Sequence, residues 1–137
     1  MILDLDHFKR INDAHGHEVG DHALLETVRR MREAMRAEDL VGRLGGEEFV
    51  AVMPDMDLDS AYAAAERLRR NFSDRPMFIH SGGERIEIIV TVSIGVTVLQ
   101  SGDRMFSHLL RRAGFGQDGL DLAPSCARAL RARARRH

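Results

Sequence analysis

Four acidic residues lie in two short stretches, and they would converge if the first stretch lies beside the second in a sheet. Asp4 and Asp6 flank a single leucine, and Glu47 and Glu48 directly follow Gly45-Gly46. Carboxylates that converge repel one another unless a cation lies between them. Oxygen ligands with no cysteine nearby suit Mg2+ or Mn2+, and Mg2+ completes its shell with substrate phosphates. The acidic pairs therefore indicate a nucleoside triphosphate site, and the alternative is that they are solvated acids at strand ends.

The hydrophobic pattern predicts the elements that position these acids. Residues 1–5 predict a buried strand, and the two glycines between the runs 40–44 and 48–53 predict a tight hairpin. Strict alternation from Ile86 to Val98 predicts one long central strand. The predicted helices cover residues 8–14, a stretch capped by Asp21 that runs to Met35, a stretch from Asp57 or Asp59 to Phe72, and residues 105–113.

A hairpin next to crossover helices implies an α/β (α+β) fold, with a central, mostly antiparallel mixed sheet flanked by helices. The 137 residues suffice for one domain. A net charge of -1 argues against a nucleic-acid partner. Cys126 is the only cysteine, and no apolar run is long enough to cross a membrane, so we expect a cytoplasmic domain without membrane contact. A larger parent protein could still be tethered to a membrane.

Three motifs in order resemble the GGDEF domain family. Residues 4–13 with Gly16-His17 and Gly20-Asp21 look like its first signature, and residues 43–49 look like the naming signature in its Glu-Glu variant. Residues 91–96 resemble a later segment. The resemblance covers residues 1–113 and implies the palm-like fold of nucleotidyl cyclases and polymerases, with a ferredoxin-like core.

The resemblance implies a diguanylate cyclase, a nucleotidyltransferase of bacterial second-messenger signalling. Such an enzyme condenses two GTP into cyclic di-GMP and releases pyrophosphate. Each domain holds one GTP, so catalysis needs a homodimer. The alternative is a non-catalytic GGDEF-like module that binds GTP or cyclic di-GMP.

Matching the family's motifs position by position implies roles for single residues. Asp4, the backbone carbonyl of Leu5, Glu47 and Glu48 would bind Mg2+, with Mn2+ as the other candidate ion. Glu47 would also accept the proton of the GTP 3′-hydroxyl, supported by Glu48. The residues implied for substrate binding are Asn12, Asp21 and His17 at the guanine, and the His7 and Phe8 amides with Lys9 at the phosphates.

A regulatory site is implied by Arg36 and Asp39, which match the family's inhibitory Arg-x-x-Asp site for its own product, with Arg67 as a further contributor. Read alone, such a pair is usually a solvated ion pair. The chain departs from the family at both ends. No segment precedes the first strand, so we expect an incomplete domain over residues 1–113. Residues 114–137 match no family segment and predict an atypical Arg/Ala-rich tail that could be disordered.

Overall fold

The computed structural model describes residues 1–116, 119–120 and 128–130, and for the residues beyond 114 it describes the backbone only. The helices are α1 (Phe8–His15), α2 (His17–Ala34), α3 (Leu58–Asp74) and α4 (Phe106–Arg112). The strands are β1 (Ile2–Leu5), β2 (Leu40–Gly45), β3 (Glu48–Val52), β4 (Met77–Ser81), β5 (Glu84–Ile88), β6 (Val92–Val96), β7 (Phe115–Gly116), β8 (Gly119–Leu120) and β9 (Arg128–Leu130).

The main sheet has the order β2-β3-β1-β6-β9, and each of its described pairings is antiparallel. β4 pairs with β5 and β7 with β8 in separate hairpins. The strand that carries the first acidic pair therefore lies at the centre of the sheet, between β3 and β6. This arrangement confirms the predicted antiparallel sheet flanked by helices.

One face of the sheet forms the core with α2 and α3. Leu3, Leu5, Phe49 and Ile94 point to this face and are almost completely buried. The helices contribute buried side chains at helical spacing, namely Leu24, Met31, Ala61, Ala65, Leu68 and Phe72. Burial of each large side chain stabilises the fold by about 1.5–3 kcal/mol. Because side chains alternate along a strand, Ile2, Asp4 and Glu48 lie on the opposite face.

The long central strand predicted from Ile86 to Val98 is wrong. β5 ends at Ile88 in the separate hairpin, and β6 begins at Val92 in the main sheet. Ile89, in the connection, is 69% exposed. The period of two shows that each half of this run has one buried face, but it does not show which sheet each half joins.

The predicted cap at Asp21 is also wrong, because α2 begins four residues earlier at His17. Gly16 adopts a φ of 86°, and its N–H group donates to the carbonyl of Asn12, which ends α1. A glycine takes this left-handed conformation without steric cost, so the second helix can begin at once. The other predicted cap is confirmed: the Asp57 carboxylate accepts a hydrogen bond of 2.8 Å from the Ser60 N–H.

Within the described part of the chain, no helix has the length and apolarity needed to span a bilayer. β9 extends the main sheet beside β6, so part of the stretch predicted as a tail has a regular backbone. Cys126 and the arginines after residue 130 lie outside the described residues. The predicted division at residue 113 stays a prediction.

Candidate active site

The two acidic pairs meet at the end of β1. Asp4 is the direct partner of Glu48 in the β1–β3 ladder. One residue further, the Leu5 N–H group donates to the carbonyl of Glu47 at 3.2 Å. Cross-strand partners have Cβ atoms about 4.5–5.5 Å apart, so their carboxylates share one small space. The first strand and the glycine hairpin are therefore neighbours, which is the condition under which the four acids converge.

The charges at this junction repel one another. Burial raises the pKa of Asp4 to about 7, and the negative charges of Glu47, Glu48 and Asp6 add to that rise. The pKa of Glu48 is also raised, first by burial and then by Glu47. A cation placed among these groups would remove both effects. The repulsion among these carboxylates therefore favours a positively charged group between them.

The donor set fits a magnesium-type ion. It consists of carboxylates and the Leu5 carbonyl at the end of β1, without a nearby thiol. Among the described residues, no group of three or more His, Cys, Asp or Glu side chains is arranged to hold a metal by itself. Mg2+ usually takes one or two protein carboxylates and fills its shell with phosphate oxygens and water. A substrate triphosphate would thus complete the site.

Asp6 has a fixed orientation that the sequence analysis did not predict. Its carboxylate accepts hydrogen bonds of 2.7 Å from the hydroxyls of Thr91 and Ser93. Its own N–H group donates to the Thr91 carbonyl at 2.9 Å. These bonds hold the Asp6 charge beside Asp4. The available signal was the polar face of the alternating run, because Ser93 is the direct partner of Asp4 and lies on the same face of the sheet.

Arg43 stabilises the glycine turn. Its Nε and Nη2 atoms both donate to the Gly46 carbonyl, at 2.9 and 2.6 Å. Gly46 has a φ of 48°, a conformation that other residues adopt only at a cost. A Cβ at Gly46 would meet nothing within 4 Å, so the turn faces open space. The turn thus combines a fixed backbone beside Glu47 with room for a ligand.

The residues implied for phosphate binding lie at the start of α1. His7 has a left-handed φ of 58° and provides no side-chain cap to the helix. The first N–H groups of α1 therefore lack a side-chain acceptor, and such groups favour an anion. Phe8 is half-buried, whereas Lys9 is exposed.

The residues implied for the base lie on two adjacent helices. Asn12 is on α1, and its Oδ1 atom is buried without a hydrogen-bond partner. His17 and Asp21 are exposed on the first turns of α2. Gly16 joins the two helices, so these three side chains are brought to one end of the helix pair.

The implied regulatory pair lies after the end of α2. The Arg36 guanidinium donates to Asp39 at 3.2 Å and to the Pro54 carbonyl at 2.9 Å. Asp39 also accepts a hydrogen bond of 2.8 Å from the Arg36 N–H, and its side chain is only 2% exposed. Arg67 is exposed on α3. The pair is thus already formed at the surface, where the Arg36 side chain is 45% exposed, and a ligand would have to replace these bonds.

An apolar cavity of about 460 Å³ lies away from the acidic junction. Ile2, Val52, Met53, Phe106 and Leu109 are among the residues that line it. It contains no residue predicted for metal, substrate or product binding. Asp55 is the one charged side chain among its lining residues, and none of the four clustered acids at the end of β1 lines it.

Comparisons with known proteins agree with this geometry. Residues 1–115 match the family described as diguanylate cyclase, GGDEF domain. Response regulator PleD of Caulobacter vibrioides is 42% identical over 116 residues, which are 85% of this chain and 25% of that protein. Diguanylate cyclase DgcP of Pseudomonas aeruginosa is 37% identical over 89% of this chain and 19% of its own length. The chain thus spans about a quarter or less of these relatives.

Solved structures show the same fold. The active GGEEF domain of a diguanylate cyclase from Vibrio cholerae is 30% identical with a TM-score of 0.69, covering 82% of this chain and 68% of that chain. The GGDEF domain of DgcB from Caulobacter crescentus, in complex with c-di-GMP, is 28% identical with a TM-score of 0.72, covering 82% and 64%.

Proposed function

Because the chain belongs to the diguanylate cyclase GGDEF domain family, we propose that it condenses two molecules of GTP into cyclic di-GMP and releases pyrophosphate. The observation that carries the proposal is the junction of Asp4 with Glu47 and Glu48. Family membership supports a role in cyclic di-GMP signalling in bacteria. A cytoplasmic location remains part of the proposal.

In each condensation, the 3′-oxygen of one GTP attacks the α-phosphorus of the other. The bond from that phosphorus to the bridging oxygen breaks, and pyrophosphate leaves. The Glu47 carboxylate accepts the proton of the 3′-hydroxyl, and Glu48 supports it from the adjacent position. A second, identical condensation closes the ring. Each domain presents one GTP, so two copies must face each other across a two-fold axis.

Asp4, Glu47, Glu48 and the Leu5 carbonyl would hold Mg2+ or Mn2+, which would neutralise the triphosphate and lower the pKa of the attacking hydroxyl. The exposed Lys9 and the amides at the start of α1 would orient the phosphates. These groups fix the α-phosphorus relative to the junction.

Guanine recognition would come from Asn12, Asp21 and His17. The Asp21 carboxylate suits the N1–H and N2–H donors of guanine, and the Asn12 amide can donate to N3 or O6. A site that pairs with these groups rejects a base that lacks them, because its own polar groups would be left unpaired.

Product would bind at Arg36 and Asp39, with help from Arg67. Arginine suits phosphate and the Hoogsteen edge of guanine, and aspartate suits the guanine donors. Cyclic di-GMP bound there would inhibit its own synthesis.

The proposal is tested by incubating the purified chain with GTP and MgCl2 and measuring cyclic di-GMP by mass spectrometry. We expect product from the wild type, a loss of about a hundredfold or more in Glu47→Gln, and no change in the exposed control Glu84→Gln. Turnover that survives Glu47→Gln would refute the role of that carboxylate. GTP binding without product would instead favour the non-catalytic module.

A further inference from the structure

Gly20 lies on α2 where α1 packs across it. A Cβ atom at this position would come within 1.9 Å of Asn12 Oδ1 and 3.3 Å of Phe8 Cζ. Gly20 has no left-handed φ, and it lies inside a helix, where alanine is normally preferred. The glycine is therefore required by the space that the Asn12 side chain occupies and not by the backbone conformation.

The Asn12 amide is held by this space and by no hydrogen bond. Its Oδ1 atom is buried and unpaired among the described residues. Folded proteins rarely leave a buried acceptor unpaired, so such an atom calls for an explanation. With Oδ1 packed against the Gly20 backbone, the Nδ2 amino group is the part of the amide that remains for a ligand. Asn12 is then oriented as a donor.

We propose that Gly20 is a positioning residue for nucleotide recognition: the missing side chain provides the seat that orients the Asn12 amide toward the base. This inference rests on the proposed function, since it assumes that Asn12 contacts guanine. Any side chain at position 20 would displace the Asn12 amide and turn its Nδ2 donor away from the base.

The test is a double-mutant cycle on the full chain, with binding of 3′-deoxy-GTP in MgCl2 measured by isothermal titration calorimetry. This nucleotide lacks the attacking hydroxyl and is not consumed. The variants are Gly20→Ala, Asn12→Ala and the double variant. Gly102→Ala is the matched control, because a Cβ there meets nothing within 4 Å and the residue has no left-handed φ.

We expect Gly20→Ala to weaken binding about tenfold, the loss that one hydrogen bond represents. Asn12→Ala should weaken binding by a similar factor, and adding Gly20→Ala to it should cost little more. Gly102→Ala should bind like the wild type. A purely structural role for the glycine would not produce this dependence on residue 12.

Several results would overturn the inference. Gly20→Ala that binds like the wild type, or that costs the same factor whether or not Asn12 is present, would contradict it while leaving the proposed function intact. If the wild type itself does not bind the nucleotide, both the proposed function and this inference are refuted. If Gly20→Ala does not fold, the double variant should fold, because the clash is relieved. A double variant that also fails to fold would assign the glycine to packing against Phe8.

Discussion

Asp4 and Glu48 are direct partners across the antiparallel pair of β1 and β3, so two carboxylates face the same space in the middle of the sheet. In the absence of a cation, such a pair destabilises the folded protein, because two negative charges in a half-buried position repel each other and raise each other's pKa. A cation bound between the two carboxylates would remove this repulsion.

Asp4→Asn should stabilise the ligand-free protein at pH 8. Folding raises the pKa of Asp4 from an ordinary value of 3.8 to about 7, so the folded state holds this proton more tightly than the unfolded chain. The contribution of Asp4 to stability is therefore greatest below pH 4, falls as the pH rises to 7, and is constant above that. We expect Asp4→Asn to gain about 1–2 kcal/mol at pH 8, after allowance for partial solvent exposure.

Thermal unfolding at pH 5 and pH 8 measures this effect. The gain should be larger at pH 8 than at pH 5, and turnover of GTP should be lost. Asp13→Asn, at an exposed position on α1, is the control and should shift neither melting point. A stabilisation of the same size at both pH values would show that charge repulsion is not its cause.

The hydroxyls that hold Asp6 should affect the magnesium requirement. In the double variant Thr91→Val/Ser93→Ala, the Asp6 carboxylate loses both side-chain donors and its fixed direction beside Asp4. Loss of partners that orient a metal site typically costs about 10–100-fold in affinity or activity. Initial rates measured against MgCl2 concentration should show a higher half-saturation point. Thr97→Val, further along the chain, should leave it unchanged, and an unaltered requirement in the double variant would count against a role for Asp6.

Arg30 should be required for stability and not for catalysis. Its guanidinium is 6% exposed and donates to Glu26 and to the carbonyls of Arg75 and Pro76 at the end of α3. Arg30→Met would remove these hydrogen bonds, while Glu26 would keep its pair with Arg29, and we expect a cost of about 1–3 kcal/mol. Urea unfolding measures the loss, with the exposed Arg32→Met as control. Equal unfolding midpoints for the two variants would contradict this account.

Product inhibition should depend on Arg36. Arg36→Ala removes the guanidinium that is paired with Asp39 and proposed to bind the product. We expect initial rates close to the wild type, while added cyclic di-GMP should no longer slow the reaction. Arg70→Ala, which removes an exposed arginine paired with Glu66 on α3, is the control. Unchanged inhibition in Arg36→Ala would refute the product site.

The local features of this fold could be predicted from the sequence. The helix from Asp57, the glycine hairpin and the buried first strand all depend on short-range patterns, and each is confirmed. Residue types alone left two interpretations of the acidic pairs open, a cation with a triphosphate or solvated acids at strand ends, and the resemblance to a family decided between them. The roles of Asn12 and Asp21 also came from that resemblance.

Features that depend on contacts between residues distant in the sequence could not be predicted from the hydrophobic pattern. The run from Ile86 to Val98 divides between two sheets because its halves meet different partners, β4 and β1. The bonds of Asp6 to Thr91 and Ser93 join residues more than eighty positions apart. The start of α2 at His17 depends on Gly16, whose left-handed φ ends one helix and begins the next.

The proposed function requires Asp4 and Glu47 to share a divalent cation with GTP. Electron paramagnetic resonance of Mn2+ counts free and bound ion in the presence of 3′-deoxy-GTP, and a chain that binds the pair reduces the free-ion signal beyond the effect of nucleotide alone. We predict this reduction for the wild type and for Glu84→Gln, and its loss in both Asp4→Asn and Glu47→Gln. Retention of the bound ion in both variants would contradict the account.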